Sequence, residues 1–241
     1  MAKPFKEWTV LPHGELVRLE DNIMTVTGML NMPPMGQVER RMTVVRLRGD
    51  RLVIYSAIAL DEPQMKVLEA FGKPSFLVIP NDIHRMDARI WKERYPDLEV
   101  IAPDAAREKV AKVVRVDESE ADFRDPSVEL ITVPGTAERE MALLVETAGG
   151  PTLVINDLIF NLANRPGVTG WLFEKLGMTG DEPHIPPIIK HRVVEDEPAL
   201  RAQLEAWSQL PGLKRVVVSH GDIIADEPGA VLKRIAHELA A

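Results

Sequence analysis

The chain contains no cysteine. That absence excludes disulfides, thiolate zinc sites and a cysteine nucleophile, and it leaves the compartment undecided. Basic residues are not in excess: 29 Lys and Arg stand against 37 Asp and Glu, a formal net charge of −8. With no basic stripe, neither nucleic acid nor an anionic membrane is an expected partner. No run approaches the roughly 20 apolar residues of a membrane span. The opening residues Met1-Ala2-Lys3-Pro4-Phe5-Lys6-Glu7-Trp8 lack the apolar core of a secretion signal, so a cytoplasmic protein is expected. Also missing are a Gly-x-Ser-x-Gly elbow, a phosphate loop, a dinucleotide fingerprint, internal repeats and low-complexity tracts. What is present is ordinary for a globular protein. The 241 residues are 45% hydrophobic and 27% charged, enough for a large core.

Residues 22–28 read as a strand, followed by a Met- and Pro-rich loop over 29–36. Residues 41–47 and 52–56 flank Arg48-Gly49-Asp50-Arg51, a hairpin turn signal. Met65, Leu68 and Phe71 stand near helical spacing over 61–71, with Gly72 as a stop. A short helix over 88–95, a strand over 98–102 and a charged helix over 104–113 follow. Strands are expected at 128–133, 141–146 and 153–155. Residues 161–194 read as irregular, broken by Pro166, Pro183, Pro186 and Pro187, with a short apolar helix near Trp171. Helices over 198–210 and 228–240 enclose a last strand that ends at His220. No linker is evident, so one domain over 1–241 is expected.

Several of these strands run straight into polar residues able to do chemistry. Ser75 to Pro80 leads into Asn81-Asp82-Ile83-His84-Arg85-Met86-Asp87, and Glu129 to Val133 into Pro134-Gly135-Thr136. Thr152 to Ile155 leads into Asn156-Asp157, and Arg215 to Val218 into Ser219-His220-Gly221-Asp222. If the strands are neighbours, these ends converge at one edge of a sheet, where layered α/β folds place ligands.

The order of the four segments resembles the metallo-β-lactamase superfamily, over roughly residues 22–235. Members carry His-x-His-x-Asp-His, then Pro-Gly-His, then an aspartate (commonly in Gly-Asp-x-x-Phe), then a histidine often set in Gly-His-Gly. The resemblance implies a layered α/β fold, an αββα sandwich of two mixed β-sheets flanked by helices. It is closest to a branch with an eroded metal motif. Here Asp82, His84, Met86 and Asp87 fall on the first motif, and Thr136 stands in place of the histidine of the second. Only His84, Asp157 and His220 keep the family's residue type.

The resemblance thus implies at most one divalent ion, Zn, Mn or Fe, held by Asp87, Asp157 and His220. His84 or Asp82 would orient or deprotonate its water. The implied activity is hydrolysis of a small-molecule ester, lactone, amide or phosphate. The alternative is a binding module that keeps the scaffold without metal. Plainer explanations stand beside each residue. His84 and His220 can be hydrogen-bonded structural histidines, and Asp82 and Asp87 can cap the helix that contains Trp91. His184 or His191 can replace a lost ligand. The methionines of the 29–36 loop suit an apolar lid, ordinary packing or a homodimer contact.

Overall fold

The computed structural model describes residues 3–32, 36–164 and 166–239. Residues 33–35 of the Met-rich loop and Ala240 of the expected last helix lie outside them. The first sheet begins with β1 (Val17–Glu20), β2 (Ile23–Asn31), β3 (Gln37–Arg46) and β4 (Arg51–Tyr55), all antiparallel neighbours. Gly49 and Asp50 both take positive φ, 75° and 55°, as a tight hairpin turn requires. After α1 (Glu62–Phe71), β5 (Lys73–Val78) joins β4 in parallel. Beyond α2 (Ala88–Arg94), β6 (Glu99–Ile101) extends the sheet in parallel again. The sheet order is β1-β2-β3-β4-β5-β6.

Beyond α3 (Asp104–Ala111), β7 (Val128–Thr132), β8 (Met141–Val145) and β9 (Thr152–Val154) form a second, antiparallel meander. Past β10 (Phe160–Asn161), α4 (Gly167–Lys175), α5 (Pro187–Val193) and α6 (Glu197–Ser208), β11 (Arg215–Val217) returns to pair with β9 in parallel. β12 (His220–Gly221) pairs with β10, and α7 (Pro228–Glu238) follows it.

Alternation along the strands assembles the layers. In β4, Leu52 and Ile54 pack with Met65, Leu68, Trp91 and Val110 of the helices, while Val53 and Tyr55 face the other way. There they meet Leu143 and Val154 of the second sheet. On that sheet Val154 and Val217 point inward, and Leu153 and Val216 point out to Leu204 and Leu232 of α6 and α7. The result is helices, mixed sheet, mixed sheet, helices. Burying a side chain such as Leu68 or Leu204 fully contributes about 1.5–3 kcal/mol.

Two local readings need correction. Residues 161–194 are not irregular throughout, because α5 forms within them. Pro187 occupies its first turn, where a missing N–H costs nothing, so that proline starts a helix instead of breaking one. The two-residue strands β10 and β12 are too short to register as a pattern.

Candidate functional site

Three connections reach the same end of the sandwich. The loop from β5 to α2 carries Asn81, Asp82, His84 and Asp87; the segment after β9 carries Asp157; β12 carries His220. Asn81 shapes the first, its Oδ1 accepting from the N–H groups of Ile83 (2.9 Å) and His84 (3.0 Å). β12 is anchored by Arg41 on β3, whose Nε donates to the carbonyl of Val218 (2.9 Å) and Nη2 to that of Gly221 (2.7 Å).

His84 Nε2 and His220 Nε2 each lie 3.0 Å from Asp157 Oδ1. The donor atoms of these residues all fall within 4.8 Å of one another, and they are the group among the described residues able to hold a metal ion. The far side of each ring is held as well. His84 Nδ1 is 2.7 Å from Ser56 Oγ, and His220 Nδ1 donates to the carbonyl of Glu39 at 2.5 Å. That second bond fixes a tautomer. A carbonyl can only accept, so Nδ1 of His220 carries the proton and a neutral ring turns a bare Nε2 towards a carboxylate oxygen. Two lone-pair donors facing each other need a cation between them, either a proton or a metal ion. Two imidazoles and a carboxylate with an open side, each ring steadied from behind, are a fitting donor set for a divalent ion.

Asp157 Oδ2 accepts from Asn81 Nδ2 at 2.7 Å, and the same amide group donates to Glu140 Oε1 at 2.7 Å. The two carboxyl groups therefore share one amide, and their pKa values move apart. Burial pushes Glu140 well above the usual carboxyl range, and the charge of Asp157 pushes the same way. Burial would raise Asp157 too, but the charge of His84 and the hydrogen bonds of both histidines outweigh it and hold it well below that range. Burial also raises the phenol of Tyr55, which donates to the Met141 carbonyl at 2.7 Å.

The other expected residues sit differently. Asp87 is not brought to the His84–Asp157–His220 group. It is buried, its Oδ2 paired with Arg40 Nη1 and its Oδ1 accepting from Ala59 N–H at 3.1 Å. Nor does its side chain cap α2. Asp82 lies at the cavity rim between Lys109 (2.5 Å) and Arg192 (2.8 Å). Thr136 is fully buried, and its hydroxyl donates to the Val133 carbonyl at 2.7 Å. His184 has its two ring nitrogens 3.0 Å from the carbonyls of Glu182 and Gly177. His191 is outside the donor group.

Ser56, Glu140 and Arg40 are the residues that strand-end reasoning passes over, and Asn81, though at a strand end, carries no role there. Their signal is weak. Glu140 closes the charged run Glu138-Arg139-Glu140, which reads as solvated loop.

A cavity of about 480 Å³ opens over His84, Asp157 and His220, walled chiefly by apolar side chains such as Leu30, Val38, Phe160 and Ile188. A second, more polar one of about 310 Å³ lies beside it, reaching Asn81, Glu140, Lys109 and Arg139. Asp157 lines both. Among the described residues, no helix is long and apolar enough to cross a membrane.

No protein-family model matches the chain, and no curated protein matches it. Solved structures do. The metallo-β-lactamase FIM-1 from Pseudomonas aeruginosa, in its mono-zinc form, superposes with a TM-score of 0.62 at 12% identity, covering 95% of this chain and 96% of that one. The metallo-β-lactamase DIM-1 gives 0.64 at 14%, covering 97% and 100%, and one from Hirschia baltica gives 0.60 at 13%, covering 92% and 97%. At such identities the likeness is one of fold.

Proposed function

We propose that this chain, built on the metallo-β-lactamase fold, is a hydrolase of small molecules that works with at most one divalent metal ion. The observation that carries the reading is the convergence of His84 Nε2 and His220 Nε2 on Asp157 Oδ1 at the wall of an apolar cavity. These three residues would hold the ion, and Zn, Mn or Fe suits the donor set. When bound, the ion supplies Lewis acidity towards a carbonyl or phosphoryl oxygen and acidifies water.

The chain's own groups do the rest. Ser56 and the Glu39 carbonyl hold the two imidazoles in place, and Asn81 fixes the carboxylate of Asp157. The largely apolar wall strengthens the charge interactions beside it. His84 thus moves in this reading from general base to ligand. Asp82, engaged by Lys109 and Arg192, ties the rim together. Asp87 supports Arg40 instead of the ion. A small-molecule ester, lactone, amide or phosphate fits the chemistry.

One observation favours a second reading, a metal-free binding module. Protons on the histidines would equally satisfy Asp157, whose carboxyl is held in its charged form. Elemental analysis of protein purified without chelators separates the two. The hydrolase reading expects about one equivalent of metal, lost in both Asp157→Asn and His220→Ala. Metal at a hundredfold excess over its Kd should stabilise the wild type by about 2.7 kcal/mol, or about 5–10 °C in Tm. Substoichiometric metal that neither substitution alters would sink the hydrolase.

A further inference from the structure

Arg40 is a cation set into an apolar wall. On β3, Val38, Arg40 and Met42 share one face, and Glu39 and Arg41 the other. The Arg40 residue is only 7% exposed, yet it lines the large cavity together with His84 and His220. Asp87 neutralises it through Nη1, and the Ala59 N–H satisfies the other oxygen of that carboxylate. A guanidinium has five N–H donors in a fixed fork, and Asp87 engages one end of it. Nη1 is the single nitrogen of Arg40 with a protein partner among the described residues, and Nε is buried with none. Leaving a charged donor unpaired is costly. Nε is sealed off, whereas Nη2, also without a partner among the described residues, is not among the sealed atoms, and Arg40 lines the cavity wall.

We propose that Arg40 is the recognition group for a substrate carboxylate, so that the cavity takes an amphiphilic monocarboxylate. The apolar body lies against Leu30, Val38, Phe160 and Ile188, and the carboxylate docks on Nη2 of Arg40. The pairing follows from charge and hydrogen bonding. A carboxylate accepts a charge-assisted hydrogen bond from Nη2, while Asp87 holds the guanidinium through Nη1. Binding sites for small molecules typically combine such an apolar wall with one or two oriented polar groups. The carboxylate end would then bring the rest of the molecule beside His84, Asp157 and His220. This assignment of substrate class rests on the hydrolase reading. The carboxylate site itself does not require the metal.

The test uses 4-phenylbutyrate and its neutral counterpart 4-phenylbutyramide as probes, with isothermal titration of the full chain in the presence and absence of zinc. The wild type should bind the carboxylate about tenfold or more tightly than the amide. Arg40→Gln should erase that preference. Because this change strands Asp87, the double variant Arg40→Gln/Asp87→Asn is measured beside it and should behave alike. His220→Ala should keep the preference in metal-free protein. Equal binding of the two probes by the wild type overturns the proposal, as does a preference that survives in the double variant. A preference lost in His220→Ala but kept without Arg40 places the carboxylate on the metal and also overturns it. If no variant lacking Arg40 folds, a crystal structure of the wild type with 4-phenylbutyrate decides. A carboxylate away from Arg40 refutes the assignment, and one on its fork supports it. A carboxylate preference in a protein that binds no metal leaves this site standing while the hydrolase reading falls.

Discussion

Replacing Glu140 by glutamine should stabilise the protein, and the gain should grow with pH. Glu140 is 1% exposed, its Oε1 takes one hydrogen bond from Asn81 at 2.7 Å, and its Oε2 has no partner among the described residues. Burial first, and the charge of Asp157 second, push its pKa well above the ordinary carboxyl value. An unfolded glutamate titrates near 4.3. Below that value both states hold the proton, and the raised pKa takes nothing from stability. Between it and the folded pKa the native state alone holds the proton, so stability falls with rising pH by about 1.4 kcal/mol per pH unit. Above the folded pKa the decline stops. Glutamine keeps an oxygen for Asn81 and has no proton to lose, so Glu140→Gln removes this component. The Tm difference between variant and wild type should therefore be small near pH 4 and widen by about 3–6 °C per pH unit above it. It should level off once the folded pKa is passed. Differential scanning fluorimetry from pH 4 to 8, with chelator present, measures it. A difference that does not change with pH, or a variant less stable throughout, would refute the assignment of a buried neutral acid.

Gly221 has φ +97°, and a Cβ there would lie 1.9 Å from the Asn161 carbonyl oxygen, so Gly221→Ala must push β10 and β12 apart. We expect a loss of at least about 2 kcal/mol, or about 4–8 °C in Tm, together with weaker metal uptake because His220 adjoins it. A Tm change below about 2 °C would contradict the close approach. Asp61 caps α1 by accepting from Gln64 N–H at 2.9 Å. Asp61→Ala should cost about 1 kcal/mol, read as about 2–4 °C in Tm, and Asp61→Asn should restore most of it.

The scaffold was legible because its strands are β-branched runs whose alternation is a local property. Leu52, Val53, Ile54 and Tyr55 announce both faces of their sheet without knowledge of any partner. Asp157 and His220 were legible for a related reason, since a polar residue at the end of a buried strand has few ways to be satisfied. Asp82 and Asp87 were not. Their roles depend on partners far away in the chain: Arg40 lies 47 residues from Asp87, and Arg192 lies 110 from Asp82. Nothing local distinguishes a carboxylate that awaits a guanidinium from one that awaits an ion. Glu140 is hidden by its neighbours, Glu138 and Arg139, which make a buried acid look like part of a solvated run.

At the positions where the resemblance implies departures from the superfamily motifs, the polar groups present are satisfied. Thr136 bonds to Val133, Asp87 to Arg40 and Ala59, and Asp82 to Lys109 and Arg192. The unsatisfied buried atoms fall elsewhere. Among the described residues they include Nε of Arg40 and Oε2 of Glu140, residues that line the large and the polar cavity, and Nδ2 of Asn156, next to Asp157. Each such atom costs about 1–3 kcal/mol, and replacing it with an apolar group of similar shape would recover much of that. Three others, Trp91 Nε1, Thr152 Oγ1 and Thr179 Oγ1, belong to residues that line neither cavity, so orphaned atoms are not confined to the site. The case for a bound ligand therefore rests on the convergence of His84, Asp157 and His220 at a cavity wall, independently of how many ions that site holds.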